Sequence, residues 1–194
     1  MGDMLYTLAT NPNYKSYLEI GTWNGRGSTK CVMDALLPRT EPCVLYSLET
    51  NQLLHENATR YWNLQLHIAA EEVKNRLKLI HGRIIDVEEI EPPLIPSYSQ
   101  EWKWYEADLK SYETCKNVFA SLPNKIDVLI LDGGEFTTEI EYQKLKDRTR
   151  LVICDDTKAQ KCAGVRTDLL EDKGFKMLID NPDERNGFCI FERV

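Results

Sequence analysis

The sequence predicts an α/β fold, a doubly wound and mostly parallel sheet that finishes in an antiparallel hairpin. Three observations carry this. Strand-length apolar runs alternate with helix-length segments, the arrangement that helix-joined parallel strands produce. One run, Ile126–Leu131 (Ile-Asp-Val-Leu-Ile-Leu), is almost wholly apolar, as a strand buried on both faces must be. The last two runs face each other across Asn181-Pro-Asp-Glu-Arg-Asn186, a short turn that makes them antiparallel neighbours.

Taken in order, Tyr17–Ile20 reads as the first strand and Ser28–Leu37 as a helix stopped by Pro38. Cys43–Leu48 is the second strand, with Glu49 at its carboxyl end. Leu53–Glu72 has helical spacing, with Leu54, Ala58, Tyr61 and Trp62 on one side. Leu77–His81 is the third strand. From Ile84 to Tyr105 the pattern breaks, because Pro92, Pro93 and Pro96 exclude a long helix. Helix returns over Asp108–Leu122 and ends at Pro123. After the apolar fourth strand come a helix over Phe136–Lys146, a fifth strand over Leu151–Cys154 and a helix over Val165–Asp172. Lys176–Asp180 and Gly187–Arg193 form the closing hairpin.

Composition bounds the function classes. A chain of 194 residues suits one α/β domain, read here as 1–194 without a linker or repeats. Hydrophobic residues at 42% and charged ones at 28% describe an ordinary globular protein. A net charge of −7, with no block of like charges, argues against a nucleic-acid partner, which calls for a basic face. No apolar run reaches membrane-spanning length, and Met-Gly-Asp-Met-Leu-Tyr does not read as a signal peptide. The six cysteines lack C-x-x-C spacing and read as reduced thiols, so a cytoplasmic location is expected.

The first strand runs into a glycine-rich loop, Tyr17-Leu-Glu-Ile-Gly-Thr-Trp-Asn-Gly-Arg-Gly-Ser-Thr29. Gly21, Gly25 and Gly27 leave the backbone bare, and the helix that follows aims free N–H groups and a partial positive charge at the same place. The spacing is neither the G-x-G-x-x-G of dinucleotide loops nor the G-K-[ST] ending of a phosphate-binding P-loop. A glycine-rich turn without any ligand would also read this way. The pattern E-x-G-x-x-x-G-x-G, beginning at Glu19, resembles motif I of the class I S-adenosylmethionine-dependent methyltransferases. With the closing hairpin, the resemblance extends over about residues 16–194 and implies the Rossmann-like, seven-stranded sheet of that family. It implies that Glu19, Gly21, Thr22, Asn24, Gly25, Gly27 and Ser28 hold the methionine end of S-adenosyl-L-methionine.

In doubly wound sheets the ligand lies beyond the strands' carboxyl ends, where the strand order reverses. For the family this falls between the first and fourth strands. Glu19 and Gly21 then form one wall, and Asp132-Gly133-Gly134-Glu135 the other. Glu49 is expected to accept hydrogen bonds from the ribose hydroxyls, as the acid does in dinucleotide folds; a solvated strand-end carboxylate is the alternative. Gly82 and Arg83 stand where the family holds adenine. Many members carry an acid after that glycine, and Arg83 departs from them.

A second cluster is acidic. Asp132 ends the fourth strand, and Asp155 and Asp156 end the fifth. Adjacent strands lie about 4.8 Å apart, so these carboxylates can converge, and a cation would relieve their mutual repulsion. Oxygen-only ligands favour Mg²⁺, Mn²⁺ or Ca²⁺ over zinc. The pattern resembles metal-dependent O-methyltransferases of the catechol and macrolide-sugar types, which implies metal ligands at Asp132, Asp155 and Asp156. Alternatively, Asp156 or Thr157 simply caps the next helix. A divalent cation would stabilise the developing alkoxide and fix its direction. Asp132 and Glu135 are the candidate catalytic residues, Glu135 as general base; Glu135 complementing a helix dipole is the bland reading.

Trp102, Trp104 and Tyr105 are candidate acceptor contacts, on a loop or an edge strand; anchoring the proline-rich segment explains them equally well. Leu-Asp-Gly-Gly after the fourth strand and Asp-Asp-Thr after the fifth are similar to the macrolide and polysaccharide enzymes. The resemblance thus implies transfer of a methyl group to a carbohydrate hydroxyl. The chain is also similar to methyltransferase domains of multidomain glycan-building enzymes, including those of large algal viruses. That implies a small-molecule or glycan acceptor, membership of a larger polypeptide and, if viral, the host cytoplasm. Two other readings stay open: a metal-independent small-molecule methyltransferase, and a catalytically silent binding module.

Overall fold

The computed structural model describes residues 1–194. Seven strands form one sheet in the order β3-β2-β1-β4-β5-β7-β6. They are β1 (Ser16–Ile20), β2 (Val44–Glu49), β3 (Leu77–His81), β4 (Ile126–Leu131), β5 (Thr149–Asp155), β6 (Phe175–Asn181) and β7 (Phe188–Arg193). All pairs from β3 to β5 are parallel. β7 runs antiparallel between β5 and β6. The strand order therefore reverses between β1 and β4.

Two cores sandwich the sheet. Leu129 and Leu131 of β4 pack on one face with Tyr112, Tyr142 and Val165, while Val128 and Ile130 pack on the other with Val32, Met33 and Trp62. This double burial is why β4 carries no alternation of apolar and polar residues. The first face is covered by α5 (Gln100–Thr114), α6 (Thr138–Leu145) and α7 (Gln160–Glu171). The second is covered by α1 (Gly2–Ala9), α2 (Ser28–Leu36) and α3 (Gln52–Leu66). No helix is long and apolar enough to cross a membrane.

Every expected strand is present, but three helices differ. The segment expected as one helix over Leu53–Glu72 divides into α3 and a short α4 (Glu71–Lys74), because the chain must double back to enter β3 at Leu77. Asn51 caps α3, its side chain accepting from the Leu54 N–H. α5 begins eight residues before the expected Asp108, since Ser99 accepts from the Trp102 N–H and nucleates the helix there. Trp102, Trp104 and Tyr105 are therefore helical, not on a loop or edge strand. The expected far end of that helix, up to Leu122, is instead an Arg83–Asn117 bridge and a single 3₁₀ turn at Phe119–Ser121. α7 likewise starts at Gln160, five residues before Val165.

Candidate active site

A cleft of about 240 Å³ opens at the carboxyl ends of β1, β2 and β4, at the reversal of strand order. Its wall includes Gly21, Glu49, Gly82, Asp132, Gly133 and Gly134. The closest approach is between Gly21 and β4. Gly21 has φ +93°, and a Cβ there would lie 2.1 Å from the Asp132 carbonyl oxygen. Only glycine meets both demands.

Glu49 is buried at the cleft edge. Its two carboxylate oxygens accept the N–H groups of Trp23 (2.7 Å) and Asn51 (2.8 Å). Burial raises its pKa, against the lowering effect of those two backbone donors. Glu49 thereby holds Trp23 in a left-handed conformation at φ +51°. For a bulky aromatic residue this is costly, and the Glu49 carboxylate offsets the cost by taking its N–H. The indole is 60% exposed and forms part of the cleft wall.

Beneath the loop lies Glu19, fully buried and absent from the cleft wall. It accepts from Thr29 Oγ1 (2.6 Å) and Ser47 Oγ, and Ser47 Oγ also meets Thr22 Oγ1 at 2.6 Å. Burial pushes the Glu19 pKa up to about 7 against these hydrogen bonds. Glu19, Thr22 and Ser28 thus brace the loop from below, a correction to their expected place against a ligand. Asn24 accepts from the Arg26 N–H in a local turn. Gly25 allows Trp62 Nε1 to donate to its carbonyl at 2.9 Å, so its bareness serves packing against α3. Gly27 ends the loop with nothing within 4 Å of a would-be Cβ.

Arg83 turns away from the cleft. Its guanidinium donates to the carbonyls of Cys115 and Ile85 and pairs with Asp86 at 3.0 Å. Its role is to tie the segment after β3 to the end of α5, which corrects the expected adenine contact. An acid does reach the cleft from α5, at its β4 side, where it accepts the Phe136 N–H. Asp108 lines the cleft against Gly134, and burial pushes its carboxyl up to about 6. Tyr112 and Glu141 form the floor, the phenol donating to Glu141 Oε1 at 2.7 Å. Glu141 Oε2 is buried without a partner, and burial pushes this carboxyl up to about 7.

The acidic cluster forms as expected: Asp132, Asp155 and Asp156 each offer an oxygen, all within 4.8 Å of one another. At such separations each pair of charges repels by roughly 4 kcal/mol at an effective dielectric of about 20. The structure supplies its own cation. Lys161, in the first turn of α7, is buried, with Nζ 2.8 Å from Asp132 Oδ1 and 2.8 Å from Asp156 Oδ2. Burial opposes its charge, but the Asp132 charge and the hydrogen bonds to both aspartates outweigh this, so its pKa rises. Burial and the charges of Asp132 and Asp156 raise the pKa of Asp155. Asp156 is lowered, because Lys161 overcomes its burial.

The acids of this cluster imply a divalent ion. The donors are all oxygens, and Asp156 Oδ1 is buried without a hydrogen-bond partner. Lys161 Nζ, however, already takes Asp132 Oδ1 and Asp156 Oδ2, so an ion shared by those two oxygens would have to displace the ammonium. With Lys161 in place the residues do not fit the ion.

Glu135 and the aromatic trio are also elsewhere than expected. Glu135 does not line the cleft; its Oε1 accepts the Gln160 N–H at 2.8 Å and caps α7. Tyr105 is buried and meets Phe136 edge-on at 5.8 Å. Trp102 packs on Tyr105 at 5.4 Å. Both anchor α5, leaving Trp104 half exposed. Trp23, Asp108, Tyr112, Glu141 and Lys161 escaped the sequence reading. For Lys161 one signal existed: a cation in a helix's first turn opposes the dipole and needs carboxylates to hold it.

No protein-family profile matches the chain, and no curated protein is similar to it in sequence. Its fold has clear counterparts among solved structures. A Staphylococcus aureus protein assigned as a caffeoyl-CoA O-methyltransferase superposes with a TM-score of 0.65 at 14% identity, covering 100% of this chain and 82% of that one. An O-methyltransferase from Bacillus cereus, in complex with S-adenosylhomocysteine, gives 0.62 at 12% identity, covering 100% and 80%. TomG of Streptomyces achromogenes, an O-methyltransferase of tomaymycin synthesis in complex with S-adenosylmethionine, gives 0.60 at 18%, covering 100% and 79%. The chain has the Rossmann-like methyltransferase fold, mostly parallel with a C-terminal antiparallel hairpin.

Proposed function

We propose that this chain is an S-adenosylmethionine-dependent O-methyltransferase acting on a hydroxyl of a sugar or glycan. The observation that carries the reading is the cleft at the β1/β4 reversal, where Gly21 lies bare against the Asp132 carbonyl and Glu49 closes the edge. The cleft's own residues fit the cofactor: a crevice at the reversal of strand order, a strand-end carboxylate, and polar side chains around the rest of the wall. When bound, S-adenosylmethionine supplies an already activated sulfonium methyl group. The chain's part is then to orient and to exclude water. Glu49 takes the ribose hydroxyls, Trp23 and Gly82 stand on the adenine side, and Asp132 faces the acceptor.

A second groove supports the sugar acceptor. It begins one residue past Gly134 and is lined by Glu89, Glu91, Glu135, Glu139, Gln143 and Gln160. Carboxylates and amides in that density suit a partner rich in hydroxyl donors. Phe136 in the same groove offers a face for a sugar ring.

The test has two stages. S-adenosylhomocysteine at about a hundred times its Kd should stabilise the protein by about 2.7 kcal/mol, read as a rise in Tm. The absence of any rise would favour the silent binding module. Labelled methyl from S-adenosylmethionine should then enter monosaccharides in a panel that also holds catechols. Label confined to the catechols would sink the sugar acceptor.

A further inference from the structure

We propose that the Lys161 ammonium is the resident cation of the Asp132–Asp155–Asp156 cluster, and that methyl transfer here proceeds without a divalent metal. This rests on the O-methyltransferase reading and deepens it. Three features carry it. Lys161 Nζ bridges Asp132 Oδ1 and Asp156 Oδ2 at 2.8 Å each, the span an ion would take. It comes from a well-formed helix of 12 residues, started by the Glu135 carboxylate on the Gln160 N–H, so its approach is set by the fold. The neighbouring Asp156 adopts φ +54°, a conformation that turns its carboxylate toward the lysine at the cost of backbone strain.

An ammonium has three N–H donors. Asp132 and Asp156 take two; Lys161 stands behind the cleft wall, so it acts on the acceptor through Asp132, the residue of the pair that lines the cleft. In the transfer, the oxygen–carbon bond forms as the carbon–sulfur bond breaks. Sulfur keeps that electron pair and leaves as the neutral thioether. The hydroxyl proton passes to a carboxylate oxygen of Asp132 and then to water. Lys161 keeps its proton throughout and holds the Asp132 carboxylate in place for the transfer.

Mn²⁺ binding followed by electron paramagnetic resonance tests this with the whole chain. The unsubstituted protein should leave the free-ion spectrum unchanged. Lys161→Met should bind Mn²⁺ at least about a hundredfold more tightly, because Asp132 and Asp156 lose the ammonium between them, while Arg185 stays 4.0 Å from Asp155. Lys161→Arg, which keeps the charge, should exclude the ion as the parent does. Mn²⁺ bound by the unsubstituted protein, and released by Asp155→Asn, would overturn the proposal. That result alone decides the matter should Lys161→Met not fold. Binding of S-adenosylhomocysteine, measured without metal in the same samples, separates this outcome from failure of the methyltransferase reading.

Discussion

Gly21→Ala tests the geometry from which the cleft is built. The added Cβ would lie 2.1 Å from the Asp132 carbonyl oxygen, 2.6 Å from its carbon and 2.9 Å from Gly133 Cα, well inside the 3.4 Å where ordinary contact begins. All three atoms belong to backbone at the end of β4, a strand paired on both sides, so they cannot step aside cheaply. Holding alanine in a left-handed conformation costs about 1–2 kcal/mol, and forcing bulk into a packed site about 1–3 kcal/mol. Stability should therefore fall by roughly 2–5 kcal/mol, a large part of a typical domain's total. Any relief must come from moving the loop, and S-adenosylhomocysteine should then bind at least about tenfold more weakly. Urea denaturation and titration calorimetry read the two effects. Gly27→Ala is the comparison without a clash: its Cβ would meet nothing within 4 Å, and the change falls on the residue that caps α2. Affinity and stability unchanged in Gly21→Ala would refute the reasoning, since the two loops would not be pressed together as described.

Glu49→Ala should weaken S-adenosylhomocysteine at least about tenfold, because it removes the strand-end carboxylate and frees Trp23; normal affinity by calorimetry would mean that the ligand lies elsewhere. The buried carboxyls predict a pH dependence. Burial raises Glu19 from 4.5 to about 7, so the folded protein holds more protons than the unfolded one across that interval. Its contribution is fully present below about pH 4.5 and is lost as pH rises through about 7, on the order of 3 kcal/mol. Glu19→Gln should therefore gain stability relative to the parent between about pH 5 and pH 8. A difference that stays flat in urea melts over that range would refute the burial argument.

Much of the fold is legible from neighbours along the chain. The apolar Ile126–Leu131 run, the glycine spacing after Ile20 and the Asn181–Asn186 turn report local demands: burial on both faces, a bare backbone, a tight reversal. Those demands act within a few residues, so they determined the strands, the hairpin and the place of the cleft, including Gly21, Glu49, Gly82 and Asp132 in its wall. Helix ends were less legible, because one cap at Ser99 outweighed the broken pattern around it and carried Trp102 and Tyr105 into the core.

The partners of the charged groups were decided by tertiary structure alone. Nothing near Lys161 in sequence says that it meets Asp132, 29 residues away, nor that Glu135 caps α7 or that Asp108 enters the cleft from α5. Those meetings depend on β4 lying beside β5 and on helices crossing back over the sheet. A charge's energy depends on distance through space, and spacing along the chain leaves that distance open. The sequence could therefore gather three acids at one point, while only the folded chain could show which cation stands among them.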